Sequence, residues 1–432
     1  MNVLDRQNNA RAWRTGIGAI MMAISQLVPW NSFSIFLRPI SESMGVAVGY
    51  VSIIFSLSAV GGLITALSIG SILKKIDNRI IIAIGGCTLA LFFITVSVSS
   101  SMIPIYIVSV IHGFGGVAAG FTMAQIILSQ WFDRLRGTML GACMVCMSLA
   151  GAILVPVMGT LIVEVGYRTL AFWEGIIGGG LVLLIGVFLI SGSPDKYGMK
   201  PHGYVERDTG AAPATSADGK VQQNASLTFG QIIRFPIFWI VILMTLMATM
   251  AAQSFNSQGA NYFQSIGLNA IQASYALSIF MFAGMVWALL FGQISDRISP
   301  TVAALINGSV AAFGFLFSFM WLGWTGAIIA AICFAAGGSV TSILGPALMA
   351  KVFGTKEAGN LVGFVRAGSS VGGMIGPIVS GFLFSSTGSY VGCFTVMGGI
   401  FVVILILNVW AGSKKTIANI KAKQNALLTR NY

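Results

Sequence analysis

Apolar residues run along this chain in long blocks separated by short polar breaks. The blocks show neither the two-residue alternation of half-buried strands nor the narrow apolar stripe of a surface helix. A helix that crosses a bilayer needs roughly 20 consecutive apolar residues. Such blocks cover residues 15–37, 49–73, 80–99, 104–129, 138–162 and 170–191, then 236–259, 271–294, 301–322, 326–350, 360–384 and 389–411. The pattern predicts an all-α membrane protein with twelve transmembrane helices.

Composition agrees, since 56% of the 432 residues are hydrophobic and 8% are charged, against about 25% charged in a soluble domain. With a cytoplasmic amino terminus, 21 of the 24 Lys and Arg residues fall in inner loops and tails. Arg38 and Arg168 then lie outside and Arg366 lies within a span. Inner loops collect such residues, so both termini are expected in the cytoplasm of a multi-pass protein of the cell (inner) membrane. The net charge of +12 reflects this asymmetry. The basic residues are scattered through short loops without a binding module, so no nucleic-acid partner is expected.

Arg6, Arg11 and Arg14 lead into an apolar block too long for a cleavable signal, and the first span is read as its own insertion signal. Cys87, Cys143, Cys146, Cys333 and Cys393 all fall inside spans, where they pack as small hydrophobes. The spans carry one histidine and no clustered carboxylates. Neither a metal site nor a nucleophile with its base is visible, so no enzyme, catalytic residue or cofactor is expected.

The longest polar stretch, Gly192 to Arg234, carries Pro194, Pro201 and Pro213 and reads as a flexible linker. The expected organisation is a six-helix bundle over 1–191, a cytoplasmic linker over 192–234, and a second bundle with a basic tail over 235–432. Glycines echo between the halves at a constant offset: Gly70 with Gly292, Gly137 with Gly359, Gly159 with Gly381 and Gly166 with Gly388, each 222 apart (292 − 70 = 222). Duplicated bundles give such spacing.

Gly292-Gln293-Ile294-Ser295-Asp296-Arg297 follows the eighth span. A divergent copy, Gly70 to Arg79, follows the second, with Lys74 and Asp77 in place of the expected Asp and Gly. With twelve spans split six and six, the chain resembles the major facilitator superfamily. Phe36-Leu37-Arg38, Gln130 to Gly137, and Arg234-Phe235-Pro236-Ile237-Phe238-Trp239 are similar to stretches of its monocarboxylate and oxalate/formate branch. That branch commonly carries an arginine in the eighth span, and residues 274–294 contain none. The resemblance implies alternating access to a cavity between two pseudo-symmetric bundles.

Arg366, in the eleventh span, is the basic residue placed inside an apolar block. A charge there is costly and usually meets an anion or a polar cavity, although snorkelling to the inner interface is the bland alternative. Ser369 and Ser370 share its helical face, and a bidentate carboxylate with a serine donor suits the set. Asn31 and Trp30 in the first span, Gln253 and Asn256 in the seventh, Gln125 in the fourth and Tyr275 in the eighth are further candidate ligands. Amides in membrane helices also serve as packing glue. His112 and Glu174 are the candidates for proton coupling. An inner latch is expected between Asp296 and Arg134 or Arg136 at the start of the fifth span. Arg366 corresponds to Met144 (366 − 144 = 222), so the site is expected to have one charged and one apolar wall, suiting an anion with a nonpolar body.

The expectation is therefore a monomeric secondary transporter of a small, monocarboxylate-like organic anion, working by anion exchange or proton symport. The alternatives are a facilitator-type exporter of neutral or hydrophobic compounds, and a membrane receptor.

Overall fold

The computed structural model describes residues 3–73, 75–133, 135–199, 202, 229–317, 320, 323–353, 358–413 and 416. Helices account for nearly all of them. The first half holds α1 (Val3–Met44), α2 (Val48–Ile72), α3 (Asn78–Val98), α4 (Met102–Ala118), α5 (Phe121–Trp131), α6 (Arg136–Val165) and α7 (Tyr167–Phe188). A short α8 (Phe229–Ile232) precedes the second half, which holds α9 (Pro236–Ser265), α10 (Ala270–Arg297), α11 (Pro300–Leu316), α12 (Gly323–Phe353), α13 (Ala358–Thr387) and α14 (Tyr390–Gly412). Among the described residues, ten stretches are long and apolar enough to cross a membrane, with two shorter apolar stretches in α11 and α12. The fourth span is made of two helices, α4 and α5, broken at Ala119 and Gly120.

The two halves are pseudo-symmetric six-helix bundles, and the repeat reaches the turns. Gly45 and Gly267 (267 − 45 = 222), like Gly166 and Gly388, all have positive φ. These are tight reversals between spans, where a side chain would be strained. Asp77 caps α3 by accepting from Arg79 N, and Ser299, 222 residues on, caps α11 by accepting from Val302 N. Each half has its own aromatic core. Phe33 packs with Phe55, Phe92 and Phe93 in the first, and Phe255 with Phe315, Phe334 and Phe394 in the second.

Glycine lets helices inside each half approach to backbone contact. A Cβ at Gly372 or Gly376 of α13 would collide with the carbonyls of Leu246 and Met250 on α9, and one at Gly61 of α2 with the carbonyl of Val110 on α4. Between the halves, α2 packs on α13 and α6 on α10. These contacts lie at the end opposite the linker. There Gly49 N donates to Ser385 Oγ (3.0 Å), Gln258 Nε2 to Ser52 Oγ (2.6 Å) and Arg38 to Gln264 Oε1 (3.2 Å). At the linker end, a Cβ on Gly70, Gly137, Gly141, Gly292 or Gly363 would meet nothing within 4 Å. Among the described residues the molecule is closed at one end and parted at the other, with a central cavity between.

Candidate functional site

The central cavity has a volume of about 300 Å³ and takes residues from both halves. Gln26, Trp30 and Asn31 of α1, Phe55 and Ser58 of α2, and His112 of α4 form its first-half wall. Gln253 and Asn256 of α9 with Gly373 and Pro377 of α13 form the other. Both α1 and α9 carry their polar residues at the same depth, since Asn31 maps onto Gln253 (253 − 31 = 222). Asn256 Nδ2 donates to Gln253 Oε1 at 3.2 Å, so these amides hold each other at the wall. Trp30 stacks on His112 with ring centroids 4.5 Å apart, and Gln26 Nε2 reaches His112 Nε2 at 3.4 Å. No charged side chain is among the described residues lining this cavity.

Arg366 lies on the linker side of it. Arg366, Gly373 and Pro377 are spaced i, i+7 and i+11 on α13, so they share one face. Phe364, Val371, Ile375 and Phe382 repeat with the same period and are the exposed apolar side chains of α13. Two residues' rotation, roughly 200°, separates that lipid-facing stripe from Arg366. The arginine is exposed and makes no ion pair with a described residue. Seven residues, about 10 Å of helix rise, separate it from Gly373. Ser369 and Ser370 donate their hydroxyls to the carbonyls of Val365 and Arg366 (3.1 and 3.0 Å).

Other residues singled out from sequence lie elsewhere. Gln125 lies with Thr122 and Ser129 in a groove that runs along α5. Tyr275 is exposed in a lateral groove between α6 and α10, beside Pro156, Ser278 and Trp324. Glu174 is buried against α1, where Ser32 Oγ donates to its Oε1 at 3.1 Å, and it does not line the cavity. The latch lies outside what is described: Arg134 is not among the described residues, and neither are the side chains of Arg136 and Asp296. The break at Ala119 and Gly120, which brings Gly116, Gly120 and Phe121 to the cavity wall, was not read from the sequence. Its signal is the cluster Gly113, Gly115, Gly116 and Gly120 within one span.

The profile of the Major Facilitator Superfamily matches residues 17–342. The chain belongs to that superfamily. Similar proteins include monocarboxylate transporter 2 of Meriones unguiculatus, 25% identical over 91% of this chain and 82% of that protein. The oxalate:formate antiporter of Oxalobacter formigenes is 22% identical over 80% of this chain and 78% of that protein. A crystal structure of a point mutant of the nucleoside transporter NupG superposes with a TM-score of 0.74 at 13% identity. It covers 92% of this chain and 100% of that one, and shares the fold.

Proposed function

We propose that this superfamily member is a secondary transporter of a small organic anion of the monocarboxylate type, and that Arg366 gives it its preference for negative charge. The observation that carries the reading is the phase of α13. Its one arginine falls on the cavity-facing stripe, about half a helical turn from the lipid-facing one. A permanent charge with no partner is costly to move through a closed state, so an anion that neutralises it lowers the barrier to reorientation. That logic favours exchange of one anion for another. Proton symport, with His112 or Glu174 as the proton carrier, is the other coupling in view. The relatives named as a monocarboxylate transporter and an oxalate:formate antiporter support the substrate class. The excess of Lys and Arg on the linker side supports both termini being cytoplasmic, with the parted end of the bundles then facing inward.

Counterflow in proteoliposomes tests this. Labelled lactate, formate or oxalate is offered against internal unlabelled anion, with and without a pH gradient, for the wild type and Arg366→Gln. The proposal expects uptake that Arg366→Gln lowers at least tenfold. Equal uptake with and without the gradient identifies exchange. A second reading, transport of a neutral polar solute, draws on the uncharged lining of the cavity. Anion uptake undiminished in Arg366→Gln would displace the first reading in its favour.

A further inference from the structure

Two arginines from different helices meet at the linker end of α7. Arg14 of α1 donates from Nη2 to Ser191 Oγ at 3.2 Å, and Arg79 of α3 donates from Nε to the carbonyl of Ile190 at 2.7 Å. Their acceptors are consecutive residues, so the two guanidinium groups stand together over the end of one helix. Each makes that one side-chain hydrogen bond and no ion pair. A guanidinium has five N–H donors, so most of theirs are left for another acceptor.

The chain that follows α7 adds to the positive charge. Its short turn, Pro194–Tyr197, lies against the same two helices: Arg11 stands over the Tyr197 ring at 4.5 Å, and Lys196 pairs with Asp77 at 2.8 Å. Four cations therefore gather around residues 190–197. The acids there are Asp77, which Lys196 already neutralises, and Asp195, whose side chain lies outside the described ones.

The repeat shows that the fold does not require arginine at these positions. Arg11, Arg14 and Arg79 correspond to Ile233, Pro236 and Thr301 (233 − 11 = 222, 236 − 14 = 222 and 301 − 79 = 222). The second bundle forms with an uncharged residue at each.

Alongside the charge the helices are apolar and open. On α1, Ile17 and Met21 follow Arg14 by three and seven positions and continue its exposed face. Ile80 and Ile84 of α3, and Val187 and Phe188 of α7, are exposed as well. None of the six lines the central cavity, so these faces meet lipid. Cations at a helix end above an apolar face complement a phospholipid, which places a phosphate at the interface and acyl chains below it. Arginine suits phosphate because its planar fork can bind two oxygens at once, and basic sites between spans take anionic head groups.

We propose that the end of α7 binds one anionic phospholipid of the linker-side leaflet, with Arg14 and Arg79 holding the phosphate and the acyl chains lying along the exposed faces of α1 and α7. The bound lipid ties α1 and α3 to the end of α7. The site is independent of the cargo and of the central cavity.

Melting temperatures of the full chain in a neutral detergent test this. Phosphatidylglycerol, phosphatidylcholine with the same acyl chains, and glycerol 3-phosphate are each titrated. The expected result is stabilisation by phosphatidylglycerol that is at least tenfold weaker when Arg14→Gln and Arg79→Gln are combined. It should persist when Lys75→Gln and Arg297→Gln are combined, because these remove two charges from exposed linker-side positions away from the site (297 − 75 = 222). Equal loss in the two double variants would reduce the effect to general attraction by a basic surface and overturn the site. Equal stabilisation by phosphatidylcholine, or none by phosphatidylglycerol, overturns it too. Glycerol 3-phosphate acting at the same concentrations as phosphatidylglycerol would overturn the lipid as occupant. Should the Arg14 and Arg79 double variant not fold, Arg14→Gln alone is read in its place, and unchanged affinity there overturns the site.

Discussion

Ser52 of α2 sits directly over the bare backbone of Gly381 on α13: a Cβ built on Gly381 would stand 2.6 Å from Ser52 Oγ and 3.0 Å from the Cα of Gly49. The same seat occurs across the other bundle contact, where a Cβ on Gly159 of α6 would collide with Ser274 of α10. The two seats are related by the repeat (274 − 52 = 222 and 381 − 159 = 222). Closure at this end therefore rests on a pair of small-residue contacts that need glycine on one side of each.

Gly381→Val is expected to hold this end open. Overpacking costs about 1–3 kcal/mol, enough to shift the population of the closed state by roughly tenfold or more. The readout is labelling of a reporter, Asn256→Cys at the cavity wall, by an impermeant maleimide applied from the side opposite the linker. Labelling should rise in Gly381→Val and fall back when Ser52→Gly is added, because the second change vacates the space the valine needs. A folded Gly381→Val protein that labels like its parent would show that the contact does not control closure.

Gln258 binds the first seat to both bundles. It is fully buried, donates to Ser52 Oγ, and accepts from Tyr390 Oη (3.0 Å) and Asn261 Nδ2 (3.2 Å). Gln258→Leu removes all three of these bonds from a buried interface, a cost of about 1–3 kcal/mol. Ser52→Ala removes one bond and leaves the other two, so its melting temperature should fall less. The reverse order would mean that the Gln258 network adds little to closure.

Asp77 caps α3 by accepting from Arg79 N at 3.0 Å, and it pairs with Lys196 Nζ at 2.8 Å. Burial pushes its carboxyl up, but the Lys196 hydrogen bond and the Arg79 amide outweigh this and hold it below the usual carboxylate range. A folded-state value below the unfolded one means that stability is present above the unfolded value and is lost as pH falls through the folded one. Asp77→Ala should cost about 1 kcal/mol near neutral pH, the usual worth of such a cap. Melting curves between pH 7 and pH 3 should show the gap between wild type and variant closing at the acid end. A gap that stays constant would remove the ionised carboxylate from the account.

The spans were legible because hydropathy alone sets them, and the repeat was legible in Gly159 with Gly381 and Gly166 with Gly388. Asp77 appeared in the sequence only as a departure from a motif, because its partner Lys196 is remote along the chain. Tyr275 fell in the lateral groove because a polar residue in an apolar helix gives its depth but not its azimuth. Azimuth is set by packing against neighbours, and on α10 that packing turns Tyr275 away from the cavity. The break at Gly120 escaped notice because an apolar run gives the same hydropathy whether its helix is whole or interrupted.

The azimuth of Arg366 can be measured without knowing the cargo. If the cavity-facing stripe of α13 borders water, then single cysteines at Arg366, Ser370 and Gly373 should react with a charged thiol reagent supplied from the linker side. Cysteines at Phe364, Val371, Ile375 and Phe382, on the opposite stripe, should resist it, because the thiolate needed for reaction does not form in hydrocarbon. Snorkelling predicts another profile, in which reactivity depends on distance from the helix end. Phe364 would then react at least as fast as Arg366, and Ser370 and Gly373 would be silent. Reactivity with a period of 3.6 residues that includes Gly373 fits only a water-filled vestibule reaching from the linker face to the cavity.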